Sequence, residues 1–280
     1  MGVKLSDIVN KKEVSWEELS GKLIAIDSSN MLYQFLSSIR QKDGMQLMDG
    51  RGKVTSHLVG ISSRIPNLIS RGIRPCFVFD GTPPKLKMRE FELREESKEK
   101  AEAKYEEASE EEDEDAMLRY SKGFTRLDKD MVNEAKKLIT AMGLPVIQAP
   151  SEAEAQASYM CKKKSVWAVA STDYDCLLFQ SPRMLINLTL SQKRKTSSGA
   201  YKEVYPQVIE LSEVMNSLQI DHNQLLVLGI MVGTDYNPGG IKGIGPKKAL
   251  KLIQTDQQFY VIFKELEADF AWKEIFYPFR

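Results

Sequence analysis

Histidine and cysteine are scarce in this chain of 280 residues: His57 and His222 are the only imidazoles, and Cys76, Cys161 and Cys176 the only thiols. Two histidines leave very little for a His-rich zinc site or a Ser-His-Asp triad. The cysteines form no C-x-x-C pair and, being odd in number, cannot all be bonded, so a reducing cytosol or nucleus is expected. Long apolar runs are missing as well. The longest, Leu225 to Val232, falls far short of the ~20 residues that cross a bilayer. The opening MGVKLSDIVNKKE lacks the apolar core of a secretion signal. Net charge is absent too, with 39 basic against 39 acidic side chains.

What is present is ordinary for a soluble globular protein: 42% hydrophobic and 28% charged residues, enough to bury a full core in one large domain or two small ones. The zero net charge hides an asymmetry. Between Glu90 and Asp115 there are fourteen acids and four bases, so the rest of the chain carries 35 bases against 25 acids, a balance of plus ten. A basic body suits a polyanionic partner, because neutralised phosphates release counterions.

Apolar runs at Lys22–Asp27, Pro75–Asp80, Leu144–Ile147 and Val166–Ser171 read as buried strands. Helical patterns lie between them. Met131, Val132, Ala135, Leu138, Ile139 and Met142 share one face, stopped by Gly143 and Pro145. This alternation predicts an α/β fold with a mostly parallel central sheet flanked by helices. Pro66 predicts a kink or break in the helix between Thr55 and Gly72. From Lys87 to Arg126 the rhythm fails: the stretch is rich in Glu, Lys and Ala, without an apolar stripe, and reads as an inserted, mobile helical segment supported by i,i+4 charge pairs. The last third, from Leu211, reads as helical. The chain stops at Phe279-Arg280 in a partly apolar run, which suggests a truncation.

Isolated acids fall at corresponding places. Asp27 and Asp80 end two strands, Glu152 and Glu154 open the helix after a third, and Asp173 and Asp175 follow a fourth. In an open parallel sheet such positions converge on one crevice. That many carboxylates repel one another unless cations sit among them, and all-oxygen donors suit Mg²⁺ or Mn²⁺. Each acid also has a plainer role available. Ser151-Glu-Ala-Glu154 fits a capping box, Asp173 and Asp175 fit a turn, and Asp27 and Asp80 can cap following helices. Six acids at matched strand ends make the common crevice the better account.

The fragments Met1-Gly2-Val3, Ala25-Ile-Asp27-Ser-Ser-Asn-Met-Leu-Tyr33-Gln-Phe35, Phe77-Val-Phe-Asp80-Gly-Thr-Pro-Pro84, Ala149-Pro-Ser-Glu152-Ala-Glu154-Ala, Thr172-Asp173-Tyr-Asp175-Cys-Leu and Gly233-Thr-Asp235-Tyr, in that order, resemble the archaeal-type flap endonucleases of the structure-specific 5′ nuclease superfamily. The resemblance implies a PIN-like nuclease core over 1–280, with a helical gateway and cap at 87–126 and a helix–two-turn–helix region at 215–265. It adds Asp235 as a seventh ligand of two Mg²⁺ ions, for which Mn²⁺ can substitute. It matches Lys87 and Arg94 to gateway cations acting on the scissile phosphate, and Tyr33 to the aromatic that stacks on a displaced base. The acidic 106–115 run has no counterpart in it.

Gly240-Ile241-Lys242-Gly243-Ile244-Gly245-Pro-Lys247-Lys248 resembles a helix-hairpin-helix. Its glycines admit a phosphate and its lysines supply charge; an ordinary interhelical turn is the plain alternative. By resemblance, carbonyls of Gly240, Ile241 and Ile244 hold K⁺, and Lys242, Gly243, Gly245, Lys247 and Lys248 meet duplex DNA. The Lys193-Arg-Lys195 loop is a weaker candidate for that role. Met1-Gly-x-x-x-Ser6 also fits a myristoylation pattern, set aside because no second membrane anchor is evident and the resemblance puts Gly2 near the active site once Met1 is removed. The expected protein is a monomeric Mg²⁺-dependent flap endonuclease, cytoplasmic in an archaeon or nuclear in a eukaryote. Its partner is branched duplex DNA with a 5′ flap. Binding to the sliding clamp (PCNA) is expected for the full-length protein, though the docking motif is not seen in this chain. A sister exonuclease or junction or bubble nuclease, and a catalytically silent DNA-binding scaffold, are the rival readings.

Overall fold

All four runs expected as strands lie in one sheet. The computed structural model describes residues 2–255 other than 42, 112, 189–192 and 196–200. In chain order the elements are β1 (Lys12–Glu13), α1 (Trp16–Leu19), β2 (Leu23–Asp27), α2 (Ser28–Ser38), α3 (Ser56–Ser70), β3 (Arg74–Phe79), a 3-10 turn at Lys85–Lys87, α4 (Met88–Glu110), α5 (Glu114–Ser121), α6 (Lys129–Ala141), β4 (Val146–Gln148), α7 (Ala153–Lys162), β5 (Ala168–Ala170) and α8 (Asp175–Leu178). They continue with β6 (Arg183–Ile186), β7 (Lys193–Lys195), β8 (Tyr201–Glu203), β9 (Gln207–Glu210), α9 (Leu211–Leu218), α10 (His222–Val232) and α11 (Pro246–Thr255). Positions 256–265 of the expected hairpin region, and the chain end, lie outside the described residues.

The seven-stranded sheet has the order β1-β9-β6-β5-β2-β3-β4. Strands β2 to β6 pair in parallel, while β9 runs antiparallel to β6 and to β1. Side chains alternate across it as strand geometry requires. Ile24, Ile26, Phe77 and Phe79 join one core layer with Phe35, Ile61, Ile65 and Ile139 of α2, α3 and α6. Ala25, Cys76 and Val78 join the other, with Ala157 and Cys161 of α7 and Leu225, Leu228 and Met231 of α10. All three thiols are free and buried. No helix of the described residues is long and apolar enough to cross a membrane.

Helix α3 continues through Pro66, so of the expected kink or break the break does not occur. One expectation needs correction. The Lys193–Lys195 segment is not a loop but strand β7, paired with β8. Strands β1, β6 and β9 were not anticipated.

The insertion between β3 and α6 is helical. Helix α4 is stitched by Glu90–Arg94 and by Lys98 to Glu95 at 3.3 Å. Helix α5 packs along it, and Tyr105 meets Phe124 edge to face with centroids 5.3 Å apart. Arg126 then ties the exit of the segment to Glu95 and Glu102 at 2.8 and 3.0 Å. Exposed pairs of this kind contribute little individually, and α4 buries only Glu90 and Ala108 along its length, so it has little apolar anchorage.

Helices α2 and α3 approach closely because residue 60 is glycine: a Cβ there would lie 2.3 Å from the Phe35 ring. Gly60→Ala gains up to ~1 kcal/mol of helix propensity but overpacks a buried ring at a cost of about 1–3 kcal/mol. The expected outcome in chemical denaturation is a net loss of stability; a variant as stable as the parent would refute the tight α2–α3 contact.

Candidate metal centre and nucleic-acid interface

The carboxyl edge of the parallel strands gathers the expected acids. Asp27 closes β2 and caps α2, its Oδ1 accepting from the Asn30 amide at 3.0 Å. Its other oxygen accepts from the Ser171 hydroxyl at 3.0 Å. Asp80, just past β3, accepts from Ser29 Oγ and from the Ala153 amide, the latter at 2.8 Å. That second bond replaces the expected capping box: Glu152, not Ser151, occupies the N-cap of α7 and makes no side-chain cap. A long-range carboxylate takes the helix-end donor, which frees Glu152 and Glu154 to face the crevice. Beyond β5, Asp175 donates its amide to Asp173 Oδ1 at 3.0 Å, and the Asp173 amide donates to Ser171 Oγ at 3.1 Å. The turn reading of this pair is therefore correct alongside the crevice reading.

Glu154, Asp173 and Asp175 bring carboxylate oxygens within 4.8 Å of one another. Burial, then Asp80, pushes Asp27 up to about 7, and burial with Asp173 pushes Asp175 up to about 7. Burial, with Asp27 next to it, raises Glu154 well above the usual carboxylate range. Crowded buried carboxylates that resist ionising together are what an oxygen-ligated divalent cation relieves. The donor set fits such an ion. Two backbone amides complete the rim: Gly2 donates to Asp173 Oδ2 at 2.9 Å and Val3 to Asp175 Oδ1 at 2.8 Å. A Cβ on Gly2 would stand 1.8 Å from Asp173 Oδ1, so this position accepts no side chain without displacing the acid.

Asp235 enters from the end of α10. The insertion meets it there: Lys87 Nζ lies 3.1 Å and Arg94 Nη2 2.9 Å from Asp235 Oδ2. Lys87 also pairs with Glu152, and with Glu154 at 3.4 Å. Burial works against the Lys87 charge, but Glu154, Glu152 and Asp235 more than offset it and hold its pKa above the ordinary value. Burial likewise opposes ionisation of Asp235, and the cations around it, Lys87 and Arg94 among them, keep its carboxyl below the usual range. Tyr33 is 37% exposed on α2, one turn beyond Ser29, the residue that touches Asp80.

The glycine-rich segment joins α10 to α11. Gly240 has φ +55, and a Cβ there would sit 2.4 Å from the Val232 carbonyl carbon, so the backbone of the turn lies directly against the end of α10. Ile241 N–H donates to Met231 O at 2.8 Å, and Ile244 N–H to Ile241 O at 3.0 Å. Ile244 is buried, whereas Lys242, Lys247, Lys248 and Lys251 are exposed. Added Cβ atoms at Gly243 (φ +79) and Gly245 would meet nothing within 4 Å. The turn thus presents open backbone and the positive end of α11 on a lysine-lined surface, the chemistry that holds a phosphate.

Tyr236, Ser29, Asn30 and Ser171 were not singled out from sequence. Tyr236 was the most accessible of them, standing next to Asp235. Its hydroxyl donates to Glu152 Oε2, and burial followed by that bond raises its pKa, so it stays a neutral donor.

An acidic crevice at the carboxyl edge of a parallel sheet, with a basic hairpin beside it, defines an α/β protein of the nuclease type. The XPG N-terminal domain matches residues 1–101 and the XPG I-region residues 143–235. Flap endonuclease 1 of Thermococcus onnurineus is 50% identical over 99% of this chain and 82% of its own length, and that of Pyrococcus furiosus 49% over 99% and 82%. Among solved structures, flap endonuclease-1 from Methanococcus jannaschii aligns at 44% identity and TM-score 0.73, covering 94% of this chain and 80% of that one. The catalytic core of Rad2 in complex with DNA substrate aligns at 26% and 0.66, covering 98% and 76%. The chain belongs to the flap endonuclease family.

Carboxyls with pKa values near 7 hold protons that an arriving cation must displace. Divalent-cation affinity is therefore expected to weaken as pH falls from about 8 to 6, with roughly one proton released per binding event near pH 7. Calorimetric titration of Mn²⁺ in buffers of different ionisation enthalpy measures this. Binding that neither weakens nor releases protons would contradict the raised values.

Proposed function

We propose the following division of labour within a 5′ flap endonuclease, a metal-dependent phosphodiester hydrolase of DNA replication and repair. The chain forms a single nuclease domain over 1–280, in which 87–126 serve as gateway and cap and 215–265 as the helix-hairpin-helix region. Asp27, Asp80, Glu152, Glu154, Asp173, Asp175 and Asp235 hold two Mg²⁺ ions, with Mn²⁺ as a substitute. When bound, such ions polarise a phosphodiester and lower the pKa of water. Everything else falls to the chain's own groups. Lys87 and Arg94 carry positive charge from the insertion to the acidic crevice, where a cation stabilises charge developing on the scissile phosphate. Tyr33, partly exposed one turn from Ser29, offers a face for an unpaired base.

The hairpin holds the duplex. Gly243 and Gly245 let the backbone approach a phosphate, and Lys242, Lys247 and Lys248 neutralise its neighbours. Carbonyls of Gly240, Ile241 and Ile244 are the proposed K⁺ ligands. The protein is proposed to act as a monomer on branched DNA with a 5′ flap, in the cytoplasm of an archaeon or the nucleus of a eukaryote. Binding to the sliding clamp (PCNA) is proposed for the full-length protein. One observation supports this reading above the others: two cations from the insertion, Lys87 and Arg94, reach the same Asp235 carboxylate, which joins cap and acid cluster in one site.

The test separates chemistry from binding. Asp173→Asn keeps shape but removes one charge from the acid cluster, so its single-turnover flap cleavage should stay at least ~100-fold down at every enzyme concentration. Lys247→Ala with Lys248→Ala should weaken binding, reduce the salt slope by up to about two phosphate contacts, and recover much of its rate at saturating enzyme. If both variants respond alike to added enzyme, the division of roles is wrong.

A further inference from the structure

We propose that Tyr236 is a positioning residue of the metal centre, its phenol fixing the Glu152 carboxylate and its ring bracing Lys87. The proposal rests on the reading above of Glu152 as a ligand. Glu152 sits at the N-cap of α7 with no side-chain cap bond, so nothing in its own helix sets its rotamer. Two outside groups do. The Tyr236 hydroxyl donates to Oε2, while Lys87 Nζ pairs with Oε1. The ammonium in turn lies 5.7 Å from the centre of the Tyr236 ring, within range of a favourable cation–π contact. A single side chain therefore touches both the carboxylate and the gateway cation.

Tyr236 can do this because its backbone is fixed. The Thr234 hydroxyl donates to Asn237 Oδ1 at 2.7 Å, the Thr234 amide donates to the same oxygen at 3.2 Å, and Asn237 Nδ2 donates to Ile230 O at 2.7 Å. The Tyr236 amide donates to Thr234 Oγ1 at 3.2 Å. This knot seats the residue on the end of α10, the helix against which the Gly240 turn packs. Carboxylate ligands depend on such outer partners for orientation, and losing one typically costs 10–100-fold in metal affinity or activity.

Tyr236→Phe keeps the ring and removes only the donor. Mn²⁺ binding to the DNA-free protein, followed by paramagnetic resonance, should weaken by about tenfold or more, with flap-DNA affinity in the absence of metal and melting temperature unchanged. Glu152→Gln should weaken Mn²⁺ on its own, and adding Tyr236→Phe to it should bring no further loss, since the phenol acts through that carboxylate. If Glu152→Gln leaves Mn²⁺ affinity intact, the ligand reading of Glu152 fails. If Glu152→Gln weakens binding but Tyr236→Phe does not, or if the two losses simply add, the positioning role of Tyr236 is overturned. Should Tyr236→Phe lower the melting temperature, the same cycle decides, because a packing defect persists in the Glu152→Gln background.

Discussion

Mutual repulsion among buried carboxylates is the constraint on which the rest of this structure depends. A parallel sheet delivers Asp27, Asp80, Asp173 and Asp175 to one edge, and α7 and the end of α10 add Glu152, Glu154 and Asp235. Taken out of water and set side by side, such groups cannot all ionise without compensating charge. The protein responds in three ways. Polar donors satisfy individual oxygens, as Ser171 does for Asp27 and the Gly2 and Val3 amides do for Asp173 and Asp175. Cations from the insertion neutralise the far side. What remains is the demand of an oxygen-lined crevice for divalent metal.

That demand explains the placement of the other parts. Lys87 and Arg94 come from an element with little apolar surface, so their ion pairs with Glu152, Glu154 and Asp235 are among the few long-range contacts tying its base to the body. The same electrostatics that stabilise the crevice therefore hold the base of the insertion against it. The hairpin stands at the far end of the loop that begins at Asp235, so one short stretch of chain carries both an acid of the crevice and the surface proposed for duplex. The Thr234–Asn237 hydrogen bonds and the Asn237 bond to Ile230 O fix the start of that stretch on the end of α10.

Much of this was legible beforehand, for physical reasons. Strands β2, β3 and β5 lie inside the sheet and are buried, so they appear as apolar runs; β1, two exposed residues paired antiparallel at one edge, carries no such mark. The crevice acids could be found because each follows a strand. Asp235 follows a helix instead, and only likeness to a family identified it. Local motifs misled where distant partners intervened: Ser151-Glu-Ala-Glu154 reads as a self-contained cap, yet the Ala153 amide is taken by Asp80, 73 positions away. Tyr236 left no trace in periodicity, because its role depends on where a hydroxyl ends up in three dimensions.

The central claim is that acid crevice, gateway cations and hairpin form one device that cuts flaps with the help of a divalent ion. Cleavage of an end-labelled 5′-flap duplex with Mg²⁺, and with Mg²⁺ removed by chelation, tests it most directly. The account predicts a dominant cut near the junction of single strand and duplex, abolished by chelation, restored by Mg²⁺, and absent from linear duplex of the same sequence. Cleavage that persists without divalent metal, or that spreads evenly along linear duplex, would contradict it.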